Sequence, residues 1–388
     1  MVEPPRAQAE PPPLNRFVGC FLRLGAVGFG GPIALAAHMR RDLVDERQWI
    51  SPQDYAEGLA FAQLSPGPLA AQLAMYLGWM RGGAGGAALA GLAFVLPSFA
   101  MVLALAALYV HYGQLSWIHG VFYGIGAAVI AIIARGAFKL ARSTLKTDRL
   151  LWVLCTAVAL LTAWTQSESI VAILLCGVMA LVIKMGLRPP PSIPVALLVG
   201  FAWLRQGELG VASAATMTAL GAFFLKAGAF VFGSGLAIVP FLYGGVVREY
   251  HWLTEQQFLD AVAVAMITPG PVVITAGFIG YLVAGPMGAV VAALAVFAPP
   301  YLIVVFAAPH YRRFAQNRQV QAFVQGVTAA AVGAILGATY VLATRSIVDA
   351  PTLGIAVVTF ALLTLRRIPE PFVILGAGAA GLALLNHR

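Results

Sequence analysis

A chain of 388 residues with 60% hydrophobic and only 10% charged side chains is not a soluble domain, because soluble domains carry about 25% charged residues. Apolar runs recur along nearly its whole length between short basic or Gly/Pro junctions, which is the pattern of a helical integral membrane protein. The net charge of +9 does not imply a nucleic-acid partner: the basic residues stand singly between apolar runs, as positive-inside loop charge does.

In chain order, residues 1–14 (MVEPPRAQAEPPPL) are Pro-rich and read as a disordered tail. They lack the basic, apolar and small-residue regions of a signal peptide. Residues 15–146 read as a first transmembrane repeat. It opens with a Gly-interrupted helix at about 15–40, then a half-length helix signalled by Ser51-Pro52 that stops at Pro66-Gly67-Pro68. Another half-length stretch runs to about 81, and two long helices near 86–110 and 117–140 complete the unit. Residues 147–210 hold linking spans near 149–165, 168–186 and 192–206. Residues 211–345 repeat the first unit: 218–243, a half-helix from Thr254, Pro269-Gly270-Pro271, then spans near 286–308 and 320–343. Residues 346–388 add two spans, near 350–365 and 371–386.

The repeat is visible residue by residue. A shift of 203 lays 21–68 over 224–271 without a gap, pairing Gly25-Ala26 with Gly228-Ala229 and Phe29-Gly30 with Phe232-Gly233. Glu46 and Trp49 meet Glu249 and Trp252 in the same alignment, and the two Pro-Gly-Pro breaks coincide. Loop charge then orients the copies. Lys139, Arg142, Lys146 and Arg149 place the end of the first unit in the cytoplasm, with Lys184 and Arg188 in agreement. In the second unit Arg312, Arg313 and Arg318 lie between the last two helices, where the first unit has HYGQLSWIHG and no Lys or Arg. Equivalent loops therefore face opposite sides. This reading counts each Pro-Gly-Pro pair as one broken crossing, because a re-entrant hairpin there would move 312–318 to the other side. The expected fold is an all-α polytopic bundle of two inverted-topology repeats with discontinuous helices and about 10–13 spans, N-terminus inside.

Lipid offers no hydrogen bonds, so a broken helix survives only where it is buried in protein or lines a cavity. The half-helix after Pro68 presents free N–H groups around Leu69 to Gln72 and the positive end of its dipole, with Ser65 and Gln72 as neutral donors. Thr268, Gly270 and Thr275 stand in the same places in the second unit. Two such ends near the midplane make an anion site. Gly67 and the glycines of GFGGP at 28–32 (Gly30, Gly31) allow close backbone approach, echoed by Gly233 and Ser234. Seven residues before those glycines each copy has one base, Arg23 or Lys226. A cation at a membrane helix centre costs about 2.5–3.5 kcal/mol on insertion scales and marks a functional site. Glu57 and Asp260 form a second repeated pair, candidates for ion coupling, or structural partners of those bases. The three cysteines and six histidines show no ligand spacing, so neither a metal nor a cofactor is implied.

GFGGP at 28–32, ERQWI at 46–50, YAEGLAFAQLSPGPLAAQLAMYLGW at 55–79 and GLAFVLPSF at 91–99 resemble the long-chain, two-domain bacterial chromate ion transporter (CHR) family. The resemblance runs from about 15 to 388. It implies a multi-pass transporter of the cytoplasmic (inner) membrane that exports chromate and confers resistance, with family motifs on Phe29-Gly30-Gly31-Pro32 and Ser65-Pro66-Gly67-Pro68. In the second half Gly31-Pro32 becomes Ser234-Gly235, so the halves are not expected to contribute identically. Sulfate shares the shape and charge of chromate and stays an alternative substrate; a homodimer is compatible with the sequence. An anion channel, or a membrane enzyme acting on phosphorylated lipid, are the other readings, although no convergent His/Asp/Glu set for an enzyme is visible.

Overall fold

The computed structural model describes residues 12–29, 31–112, 116–166, 169–185, 214–230, 235, 238–311, 317–366 and 368–385. Most of the N-terminal tail, the expected span at 192–206, Gly30, Gly233, Ser234, Arg188, Arg312 and Arg313 lie outside the described residues. Every regular element described is helical. The first unit comprises α1 (Leu14–Val27), α2 (Pro32–Arg40), α3 (Pro52–Leu64), α4 (Leu69–Tyr112) and α5 (Ser116–Leu145). Then follow α6 (Arg149–Thr165) and α7 (Ile170–Met185). The second unit comprises α8 (Ala214–Phe230), α9 (Ile238–Leu242), α10 (Glu255–Ile267), α11 (Thr275–Ala307) and α12 (Arg318–Ser346), followed by α13 (Ala350–Ala361) and α14 (Glu370–Leu385).

The expected caps start the half-helices. The Ser51 side chain accepts from the Asp54 N–H ahead of α3, and Thr254 forms a reciprocal capping box with Gln257 ahead of α10. Among the described residues, four segments are long and apolar enough to cross a membrane: Leu69–Tyr112, Gly120–Leu145, Val272–His310 and Arg318–Ser346. Leu92, Leu96, Val153, Leu160, Phe306 and Leu375 turn outward, as a lipid-facing surface requires.

The interrupted helices do not continue across the bundle. They fold back. Glu57 on α3 accepts a hydrogen bond from Tyr76, and Gly58 faces the Tyr76 ring, so residues on either side of Pro66-Gly67-Pro68 run antiparallel. The same holds for α1 and α2: Arg23 pairs with Asp42, and Phe17 lies 6.5 Å from Trp49. α4 itself turns back at Gly82-Gly83, where Gly83 has φ 56°, and α11 at Ala284-Gly285, where Gly285 has φ 65°. The broken-crossing expectation is therefore corrected to re-entrant hairpins, two in each unit. Because hairpins come in pairs, the number of passages keeps its parity.

Contacts define two ends. Leu14, Trp49 and Gly82 gather at the first end, from which the hairpins of the first unit enter. The hairpins of the second unit enter from the opposite end, where Glu255 pairs with Arg345 and Tyr123 donates to Asp349. Tyr112 stands at the opposite end and Tyr311 returns to the first.

Small residues allow the helices to close on one another. Gly25 lies against the Phe94 carbonyl and Gly228 against the Val296 carbonyl, while Gly333 and Gly337 seat α12 on α6. At the hairpin turns Gly78 meets Gly86, and Gly280 meets Gly288, backbone to backbone. A methyl group at Gly78 or Gly280 would overlap a carbonyl oxygen, and overpacking of this kind costs about 1–3 kcal/mol. Gly78→Ala and Gly280→Ala should each lower the melting temperature of the purified protein, while Gly85→Ala, with open space around it, should not.

Candidate functional site

The two Pro-Gly-Pro breaks are built alike. α3 ends at Ser65, whose hydroxyl donates to the Phe61 carbonyl at 2.8 Å; α10 ends at Thr268, whose hydroxyl donates to the Ala265 carbonyl at 3.0 Å. Both hydroxyl protons therefore satisfy helix C-terminal carbonyls. Gly67 and Gly270 hold φ 140° and 101°, a region that disfavours any side chain.

Beyond Pro68 helix geometry leaves the N–H groups of Leu69, Ala70 and Ala71 without an intrahelical acceptor. Gln72 is fully buried and turns back over Gly67, its Nε2 donating to the Pro66 carbonyl at 2.5 Å. In the second unit Val272–Ile274 forms a 3-10 turn before α11, and the Thr275 hydroxyl donates to the Val272 carbonyl at 2.7 Å.

The second break docks on the first unit. Gly270 N–H donates to the Gly28 carbonyl at 2.9 Å, and Ser98 Oγ donates to the Gly25 carbonyl at 3.4 Å. A side chain at 270 would overlap Ser98. Gly235 faces Val272 and Val273, and Gly31 stands immediately before α2. Backbone of both units thus meets in the interior, although the Gly270 N–H is already occupied.

Arg23 reaches Asp42, at 2.9 Å, and not Glu57. The Asp42 carboxylate is buried and also accepts from Arg47 Nε at 3.1 Å and from the Cys20 thiol at 2.6 Å; the Arg23 side chain is 58% exposed. Lys226 has no ion-pair partner among the described residues, and its ammonium lies 5.9 Å from the centre of the Phe241 ring. The repeat explains why. The counterparts of Asp42 and Cys20 are Gly245 and Phe223, and the Phe223 ring covers Gly245.

The repeated carboxylates meet tyrosines. Asp260, 4% exposed, accepts from Tyr109 at 2.7 Å and from Gln256 at 2.9 Å; Glu57 accepts from Tyr76 at 3.2 Å. Past the breaks the equivalence slips by one residue, since Gly78, Gly83 and Gly86 match Gly280, Gly285 and Gly288. On that register Tyr109 corresponds to Tyr311. Tyr311 packs edge-on against Phe61 at 5.3 Å, and burial together with the charge of Glu57 pushes its phenol up. Each unit therefore sends one tyrosine to the carboxylate-bearing half-helix of the other, at opposite ends. Asp42, Tyr109 and Tyr311 escape a gapless comparison of the repeats: Asp42 has no counterpart acid, and the tyrosines fall out of register.

Interrupted helices whose tips meet inside an apolar helical bundle fit a membrane transporter. The chain belongs to the chromate transporter family, whose model matches residues 16–181 and 218–382. It is 53% identical to a chromate transport protein of Cupriavidus metallidurans, over 96% of this chain and 94% of that one. It is 51% identical to a probable chromate transport protein of Synechococcus elongatus, over 95% of both, and 32% identical to a chromate transport protein of Pseudomonas aeruginosa, over 96% and 94%. No solved structure matches.

The Asp42 cluster separates two roles for Arg23. Asp42→Asn should lower the melting temperature, because it leaves Arg23 and Arg47 facing each other without their shared anion. Arg23→Gln should cost little stability, since Arg47 and Cys20 still hold Asp42. Lost transport at an unchanged melting temperature in Arg23→Gln would assign Arg23 to the anion; wild-type transport would assign it to the hairpin alone.

Proposed function

We propose that this protein exports chromate from the bacterial cytoplasm across the inner membrane by alternating access between its two inverted units, residues 15–146 and 211–345. The linking and C-terminal helices, 147–210 and 346–388, frame them. The anion is held near the midplane by the N-terminal turn of α4, from Gly67 and Leu69 to Gln72, opposite Thr268, Gly270 and Thr275. Arg23 and Lys226 supply positive potential on the two sides.

The observation that carries this reading is the exchange of tyrosines between units. For the opposite end to open, Tyr109 must leave Asp260; for the first end, Tyr311 must leave the surface of α3 beside Glu57. The two contacts are equivalent by the repeat, as alternating access requires. Glu57 and Asp260 are then placed to couple proton movement to opening. Membrane potential also favours export, by about 2.3 kcal/mol per charge per 100 mV. Basic loop residues support a cytoplasmic first end, with the N-terminus inside. The names of the similar proteins supply chromate; sulfate is the alternative of the same shape.

Flux of radiolabelled chromate in proteoliposomes, with voltage and pH gradients imposed separately, tests the activity: coupled or voltage-driven chromate movement is expected, and its absence under every gradient refutes the proposal. Tyr109→Phe should raise the reactivity of a cysteine introduced at Ala263 towards reagent added from the opposite end. Tyr311→Ala should do the same for a cysteine at Ala60 from the first end. Equal effects at both ends from either variant would contradict two separate gates.

A further inference from the structure

The amide oxygen of Gln72 has no hydrogen-bond partner among the described residues, although the residue is fully buried. Leaving a buried polar atom unpaired costs about 1–3 kcal/mol, so such an atom calls for an explanation. Its orientation is fixed. The other end of the amide donates to the Pro66 carbonyl, and exchanging the two would set oxygen against oxygen at 2.5 Å. Gln72 is the fourth residue of α4, and its side chain turns back over Gly67, so the orphan oxygen sits at the break. The same turn offers three backbone donors, from Leu69, Ala70 and Ala71.

Three donors and one acceptor do not match a fully ionised tetrahedral anion, which can only accept. They match one that still carries a proton. We propose that the break of the first unit selects a monoprotonated oxyanion, with its bare oxygens on the N–H groups of residues 69–71 and its hydroxyl donating to Gln72 Oε1. This deepens the transport reading above and rests on it. It also separates two substrates of equal size: chromate holds a proton for part of the time near neutral pH, whereas sulfate and selenate do not. A site with a buried acceptor rejects a ligand lacking the donor, because the acceptor is then left unpaired.

The test uses the full-length protein in proteoliposomes at clamped voltage, with equal pH on both faces. As pH rises above the second ionisation of chromate, KM for total chromate should climb by about tenfold per unit, while KM for the monoprotonated form stays constant. The charged and titratable groups on the elements around the break include Arg16, Cys20 and Arg23 on α1, Asp54, Tyr55 and Glu57 on α3, Tyr76, Arg81, Tyr109, His111 and Tyr112 on α4, and Glu255 and Asp260 on α10, with Asp42 in the turn after α2. Their titration is separated from that of the ligand by competition at a single pH. Phosphate, which keeps a proton throughout this range, should inhibit chromate flux more strongly than sulfate or selenate, by about tenfold or more. Gln72→Met, similar in length but without the acceptor, should flatten the pH dependence of KM and bring phosphate and sulfate level. Chromate flux with a pH-independent KM for total chromate, or equal inhibition by phosphate and sulfate in the wild type, overturns the inference and leaves the transport reading intact. Unchanged selectivity in Gln72→Met means that the oxygen holds a buried water only, and overturns it equally. Absence of chromate flux at every pH defeats the transport reading itself.

Discussion

A backbone interrupted inside a bilayer must find its hydrogen-bond partners in protein, and that constraint shapes this molecule. The helices interrupted among the described residues cannot leave their loose ends in lipid. The hydrogen bond from Gly270 to the Gly28 carbonyl is the clearest outcome: a donor freed by one break is accepted by a carbonyl at another, in the other unit. For those tips to meet, the hairpins must approach closely. Gly25 against Phe94 and Gly228 against Val296 allow it, because a side chain at either glycine would run into main chain. Part of the abundance of glycine, 41 residues, is thus a packing requirement.

Equal geometry does not mean equal chemistry. In the first unit α1 is held to the turn after α2 by Cys20, Arg23 and Arg47 converging on Asp42. In the second the same place is apolar, with Phe223 packed on Phe241, Tyr250 and Trp252. A buried carboxylate shared by two guanidiniums tolerates little rearrangement, because each partner lost exposes a costly charge. Stacked rings can slide. The shared shape therefore leaves the two hairpins with different chemistry, and Lys226 without an ion-pair partner among the described residues.

Much of the fold was legible in the sequence, because its signals are local. Ser51 and Thr254 start the half-helices, the prolines end them, and a constant shift exposes the duplication. The sense of the half-helices was not legible. Whether a chain continues or folds back after Pro-Gly-Pro depends on which side chains face each other across the turn, as Gly58 and Tyr76 do, and the motif itself does not encode that. The partners of the ionisable residues were hidden for a related reason. Asp42 lies nineteen residues from Arg23 with no repeat to flag it, and Tyr109 reaches Asp260 across 151 positions. The candidate residues at the breaks, Gln72 and the glycines, stand out in the sequence, but that Ser65, Thr268 and Thr275 bond their own backbones is visible only in three dimensions.

Each re-entrant hairpin begins and ends on the same face, so it behaves like an in-frame insertion: the helices after it keep their direction whether it is present or not. The through-going helices alone carry the sidedness of the protein. A half-length arm can therefore lengthen or shorten during divergence without turning the rest of the chain over.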